Sequence, residues 1–327
     1  MPVNPRSLKN AWATIRARIP QALPGTILEQ ALPVPGDIGL SAVVRVNDAM
    51  PGIVIRVPSR WSASSWHVLW LTGVRFEHPF EDQKDNLFPV MMADEDAIEI
   101  FTIFVTDIAS ALSVDGTTME ARMSMLMDKI ALWKRFFKKN TAPLSEEEVR
   151  GLIGELEILS RMITAYGVDA ALETWKGPSG ELHDFRYDAF RIEVKTWVNE
   201  SAPRIFISDP SQIVIDSAWP VFIAAVQLAK DDVAGSTLPV RIATILNGMT
   251  ASQKSIIEVL LADVGYLSVH AELYSNRYTI ADSIFYHIRD GFPLIDPTTL
   301  PGGVTNLKYA LELGALSPFI SPSPIKN

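Results

Sequence analysis

The sequence predicts an α/β (α+β) protein in two parts, a β-rich N-terminal domain over residues 1–115 and a second domain over 116–327. Three observations carry this. Short β-branched and aromatic runs broken by Pro and Gly fill roughly the first hundred residues. Two long helical patterns follow, the second with a clear start signal. Beyond them, Ile192-Glu193-Val194-Lys195-Thr196 alternates charged with β-branched residues, as a strand does.

The chain has 327 residues, more than one average domain. Hydrophobic residues make up 48% and charged residues 20%, the composition of a soluble globular protein with a sizeable core. Apolar runs such as Val221 to Val226 are far too short to span a membrane. Arg6, Lys9, Arg16 and Arg18 lie on a polar, helix-like segment without a signal-peptide core, so a cytoplasmic protein is expected. Cysteine is absent, which excludes disulfides and thiolate metal sites and fits a reducing compartment. The formal net charge of −9 argues against holding nucleic acid by bulk charge, so any such contact must be local or helped by a metal or partner.

In the first domain, Ser41–Asn47, Gly52–Val57 and His67–Leu71 read as strands. Ala97–Thr106 fits either a strand or the start of a helix. Trp61, Trp66 and Trp70 could stack on bases or sugars, but their strand-like neighbours favour a core role. Asp94-Glu95-Asp96 reads as a solvated loop or helix start. Thr118–Lys139 is a helix with Met123, Leu126, Ile130, Trp133 and Phe137 at three-to-four spacing. Lys134, Arg135, Lys138 and Lys139 at its end complement the helix dipole, with phosphate contact the alternative.

After a break at Pro143, Ser145 and Glu148 form a capping box for a helix that runs to about Ala165 and closes at Gly167. Its apolar arc is Val149, Leu152, Ile153, Leu156, Leu159 and Met162. Glu155 falls inside that arc, where a carboxylate needs a partner; Glu157 falls outside. Val221–Leu228 is an apolar strand and Ser252–Val264 a further helix.

If Asp188 and Ala189 sit at a hairpin tip, Tyr187 faces Phe190, Arg186 faces Arg191, Phe185 faces Ile192 and Asp184 faces Glu193. Asp184, Glu193 and Lys195 then share one face, with opposed Cβ atoms roughly 5 Å apart. Carboxylates so close repel unless a cation lies between them, and oxygen ligands in an open site suit Mg²⁺ or Mn²⁺. Asp188 is a rival for the Asp184 role, but a turn tip favours an Asx turn. His270-Ala271-Glu272 lacks the cysteines of a zinc deaminase, and Gly177-Pro178-Ser179-Gly180 is not a nucleophile elbow. There is no phosphate-loop or dinucleotide fingerprint.

Gly154-Glu155-Leu156, His183-Asp184-Phe185 and Ile192-Glu193-Val194-Lys195-Thr196 resemble the PD-(D/E)XK nuclease superfamily. More narrowly they resemble a bacterial PD-(D/E)XK family from restriction-like and phage-defence gene clusters. The resemblance runs from Ser145 to the end, including Asp290-Gly-Phe-Pro293 and Leu300-Pro-Gly-Gly303. It implies a restriction-endonuclease-like mixed sheet flanked by helices. It implies a Mg²⁺- or Mn²⁺-dependent DNA endonuclease, the cleaving component of a restriction-modification or phage-defence system. Asp184 and Glu193 would ligate the metal, Glu155 would be an auxiliary ligand, and Lys195 would position the attacking water. Gln212 would be accessory. Apart from the resemblance, His183 could support the site from behind, but a lone His is more often structural. His183 also stands where the superfamily often has Pro. DNA, an ATPase or helicase, a methyltransferase and a second copy of the chain are the implied partners. The other reading is a non-catalytic subunit that keeps the fold as a DNA-binding scaffold.

Overall fold

A computed structural model describes residues 3–60, 69–71, 73–82, 84–114, 116–139, 142–198, 203–304 and 306–326. Trp61 and Trp66, and the Trp70 side chain, lie outside what is described. The chain divides into two compact units, Met1–Pro143 and Leu144–Asn327.

In the first unit, helix α1 (Pro5–Arg16) starts at Asn4, whose side chain accepts from the Ser7 N–H, and buries Leu8, Ala11, Trp12 and Ile15. An antiparallel sheet follows, made of β1 (Ile27–Ala31), β2 (Gly39–Arg45), β3 (Pro51–Pro58), β4 (Leu69–Leu71), β5 (Val74–Phe76), β6 (Phe80–Asp82) and β7 (Asp85–Met92). Its order is β1-β2-β3-β7-β5-β4, with β6 also on β7. Ala97–Thr106 resolves to helix: Asp94 caps the turn before α2 (Ile98–Leu112), and apolar residues on nearly every side bury it.

Helix α3 (Met119–Lys139) belongs with this first unit, so the boundary falls at Pro143 rather than after residue 115. The cause is aromatic packing. Phe104 of α2 meets Trp133 edge-on at 5.4 Å and Phe137 at 5.8 Å. Buried Asp107 of α2 accepts from Lys129 Nζ and Trp133 Nε1, each at 2.9 Å. At the basic end of α3, Lys134 Nζ lies 4.8 Å from the centre of the Phe76 ring, a cation–π contact rather than a free charge.

The second unit begins with α4 (Glu146–Tyr166), whose Ser145–Glu148 capping box forms, and whose end is turned by Gly167 at φ +85°. Helix α5 (Val168–Thr174) follows, then the hairpin β8 (Phe185–Tyr187) and β9 (Phe190–Val198). The pairs are Tyr187–Phe190, Arg186–Arg191 and Phe185–Ile192, three of the four the sequence predicts; Asp184–Glu193 is not a pair of the ladder. After β10 (Arg204–Ile207) comes β11 (Val221–Lys230), parallel to β9. Helices α6 (Leu238–Leu246) and α7 (Ala251–Val264) lead to β12 (Tyr278–Ile288), which pairs antiparallel with β11. Strands β13 (Tyr309–Glu312) and β14 (Ile320–Ser321) complete the chain. The central sheet is mixed, in the order β14-β12-β11-β9-β8, and β10 pairs separately with β13.

One face of this sheet, with Phe190, Ile192 and Val194 of β9, packs on the arc of α4. The other face, with Val221, Ile223 and Ala225 of β11, packs on Ile205, Ile207 and Leu316. Gly154 sets the approach of α4 to β9: a Cβ there would overlap Thr196 Cγ2 and lie 3.1 Å from Val194 Cγ1. Gly154→Ala is therefore expected to destabilise. Overpacking of about 1–3 kcal/mol exceeds the helix-propensity gain of about 1 kcal/mol. Urea unfolding checks this, and an increase in stability would contradict it. Among the described residues, no helix is long and apolar enough to cross a membrane.

Candidate active site

Strand β8 is short, so β9 runs past it and has no strand partner on that side beyond Ile192 among the described residues. The site is built on this free edge. Asp184, one residue ahead of β8, leaves the ladder: its Oδ2 accepts the Val194 N–H at 2.8 Å, where a neighbouring strand would have placed a carbonyl. The side chain thus takes over the N–H that the hairpin register, extended two steps, would give to the backbone carbonyl of His183.

Residues of β9 alternate between the two faces. Glu193 stands beside Ile223 and Lys195 beside Ala225, so both lie on the face away from α4. Glu155 arrives on α4 from the opposite face and reaches the same edge. Its Oε2 accepts from Trp175 Nε1 at 2.7 Å. Trp175 is held by a bridge to Phe185, and the Lys176 and Gly177 N–H groups donate to the Asp184 carbonyl at 2.7 and 3.0 Å. Gly177 leaves room at the centre: a Cβ there would lie 2.5 Å from Glu155 Oε2 and 3.0 Å from Asp184 Oδ1.

Lys195 Nζ donates to Glu193 Oε1 at 2.7 Å and to Gln212 Oε1 at 3.1 Å. Gln212 is carried on a short 3₁₀ turn, Pro210–Ile213, capped by Asp209, and also receives the Ser208 hydroxyl at 3.1 Å. Glu193 is 2% exposed, and its Oε2 makes no hydrogen bond. The structure therefore brings Glu155, Asp184, Glu193, Lys195 and Gln212 together. It leaves Asp188 apart, exposed in the turn between β8 and β9.

Electrostatics follow from this crowding. Burial raises Glu155 well above the usual carboxylate range, and the charges of Asp184 and Glu193 push the same way. Burial pushes Glu193 up to about 8, with Asp184 adding to it and Lys195 opposing. Asp184 is also raised, chiefly by burial, although the Val194 N–H and Lys195 favour its charged form. His183, on the far side of Asp184, is lowered by burial and by Arg191.

Among the described residues, no group of three or more His, Asp or Glu side chains is arranged to hold a metal ion. One oxygen of each carboxylate is turned aside, to Trp175, to the Val194 N–H and to Lys195. The donor set nonetheless suits a hard cation. It is all oxygen, it includes an unpartnered buried Glu193 Oε2, and it surrounds the side-chain-free space beside Gly177.

Residues 8–314 match a family described as "Putative PD-(D/E)XK family member, (DUF4420)". The chain belongs to that family. No curated protein and no solved structure matches it.

The edge opens on a groove of about 530 Å³ whose lining includes Arg150, Lys195, Arg204 and Lys308 against the single acid Glu147. Phe206, 61% exposed, stands in it beside Arg204. In a chain of net charge −9, this is the local positive surface that the composition requires of any nucleic-acid binder. Reasoning from sequence missed Trp175 and Gly177, because their part in the site comes from a long-range bridge. The only signal was a Trp-Lys-Gly-Pro turn between the helix and the hairpin. It also missed Arg150, Arg204 and Lys308, which are scattered singly along the chain.

Proposed function

We propose that this protein is a divalent-metal-dependent endonuclease that hydrolyses DNA phosphodiester bonds, as the cleaving component of a restriction or phage-defence system. The observation that carries it is Lys195, held between Glu193 and Gln212 at an edge where two further carboxylates converge. Asp184 and Glu193 would hold Mg²⁺ or Mn²⁺, with Glu155 assisting. A bound cation of this kind polarises a phosphoryl oxygen and acidifies water.

The chain's own residues supply the rest. Lys195 brings a point charge to the attacking side of the phosphate, and Gln212 fixes its direction. Arg150, Arg204 and Lys308 pair with backbone phosphates in the groove, and Phe206 offers a ring on which a base can stack. Trp175 keeps Glu155 pointed at the edge. Trp175→Phe retains the buried ring and removes the Nε1 donor, so Mn²⁺ affinity by calorimetry is expected to fall about 10-fold to 100-fold. Unchanged affinity would remove Trp175 from the site.

The test is incubation of the purified protein with supercoiled plasmid in Mg²⁺, Mn²⁺ or EDTA, alone and with candidate ATPase, helicase or methyltransferase partners added. Nicked or linear product in the metal lanes alone supports the proposal. No cleavage under any of these conditions sinks it, and leaves the scaffolding reading.

A further inference from the structure

A second cavity, of about 280 Å³, lies on the other side of Asp184. It is lined by Glu181, His183, Arg186, Arg191, Asp216 and Trp219, together with Leu182. Arg191 shares the Glu193–Lys195 face of β9, two residues before Glu193, about 7 Å along the strand. Cavity and carboxylates are therefore within one nucleotide's reach of each other.

The cavity is built rather than incidental. Arg191 is only 7% exposed, and its Nη1 is fixed by the carbonyls of Phe190, at 2.9 Å, and Tyr187. Its guanidinium lies over one face of Trp219, 4.5 Å from the ring centre. Trp219 remains 37% exposed, an unusual surface position for so large a ring. His183 Nε2 is buried with no hydrogen-bond partner.

The lining differs in kind from the basic groove beside Lys195. Two cations, Arg186 and Arg191, are matched by two anions, Glu181 and Asp216, and Arg186 lies 3.5 Å from Glu181. A phosphate has no net attraction to such a ring of charges. A flat, neutral molecule with both donors and acceptors along its edge does: carboxylates accept from exocyclic amines, while guanidinium and imidazole groups meet carbonyls and ring nitrogens. The planar Trp219–Arg191 pair supplies a wall for stacking.

We infer that this cavity binds a single unstacked nucleobase next to the phosphate held at the Glu193–Lys195 edge, and so sets the base context of the cut. The inference rests on the proposed nuclease function for its biological meaning, but the pocket can be tested without cleavage. Record the indole N–H resonances of the ¹⁵N-labelled protein, assign Trp219 from Trp219→Phe, and titrate the four nucleoside monophosphates and inorganic phosphate to about 10 mM, where even weak sites fill.

The expected result is a saturable shift of the Trp219 resonance with at least one nucleotide and none with inorganic phosphate. Arg186→Ala or Asp216→Ala, both surface changes that leave the core intact, should weaken it at least about tenfold. No Trp219 shift with any nucleotide overturns the inference. So does an equal shift with inorganic phosphate, or one that both variants leave unchanged. A protein that passes this test and never cuts plasmid has lost the nuclease reading alone; one that cuts and fails it has lost only the base pocket.

Discussion

Lys195→Ala is expected to lower metal-dependent plasmid cleavage about 10³-fold, the scale of losing one preorganised charge at a transition state, with little loss of fold. The second half of this expectation is the less obvious one. Removing one member of a buried ion pair normally strands the other charge. Here Glu193 already holds its proton up to about pH 8, because burial and Asp184 outweigh Lys195. Without the lysine it simply stays neutral at pH 7. Thermal melting within a few degrees of the parent protein, together with lost cleavage, is the expected pair of results. Activity within tenfold of the parent would remove Lys195 from the chemistry. A variant that melts far below the parent would show the Lys195–Glu193 pair to be structural.

Stability of the metal-free protein should fall as pH rises, and added metal should reverse the trend. Glu193 has a folded-state value of about 8 against an ordinary 4.5. A raised value means that the native state holds the proton more tightly than the unfolded chain. The contribution is fully present below pH 4.5 and is lost as pH rises through about 8, a total of about 5 kcal/mol at most. Glu155 and Asp184, raised for the same reasons, add in the same direction. A cation competes with these protons, so its stabilising effect should grow across the same window. Melting curves from pH 5 to 9, with and without Mn²⁺, for the parent and Glu193→Gln, test both halves. The Gln variant cannot titrate, so it should lose much of the slope and most of the metal effect. A metal-induced rise in melting temperature that is equal at every pH would refute the linkage.

What could be read in advance was what local rules govern. The Ser145–Glu148 box, the arc of α4 and the three pairs nearest the hairpin turn each depend on residues of one helix or one hairpin, and the structure has all three. The domain boundary failed because the stripe on α3 says that it packs, not on which core; Phe104 decides that from a separate helix. Ala97–Thr106 was ambiguous because a helix buried on most sides and a buried strand look alike in composition. Strand β12 escaped notice: Asp282 and Ser283 interrupt its apolar pattern, opposite an irregularity in β11 between Gln227 and Leu228. At the site, the charged residues were legible and their supports were not. Trp175 and Gly177 matter only once Phe185 and Asp184 have been brought against them.

The bare flank of β9 has one more consequence, for solubility. An unpaired strand edge in a central sheet is a template on which another chain can add a strand. Here the first free N–H beyond the hairpin, that of Val194, is already satisfied by the Asp184 carboxylate, and the polar side chains of Glu193 and Lys195 flank it. The residues that make the edge reactive also make it unattractive to another strand, so Asp184 variants built to silence the chemistry should be checked for self-association before they are taken as inert controls.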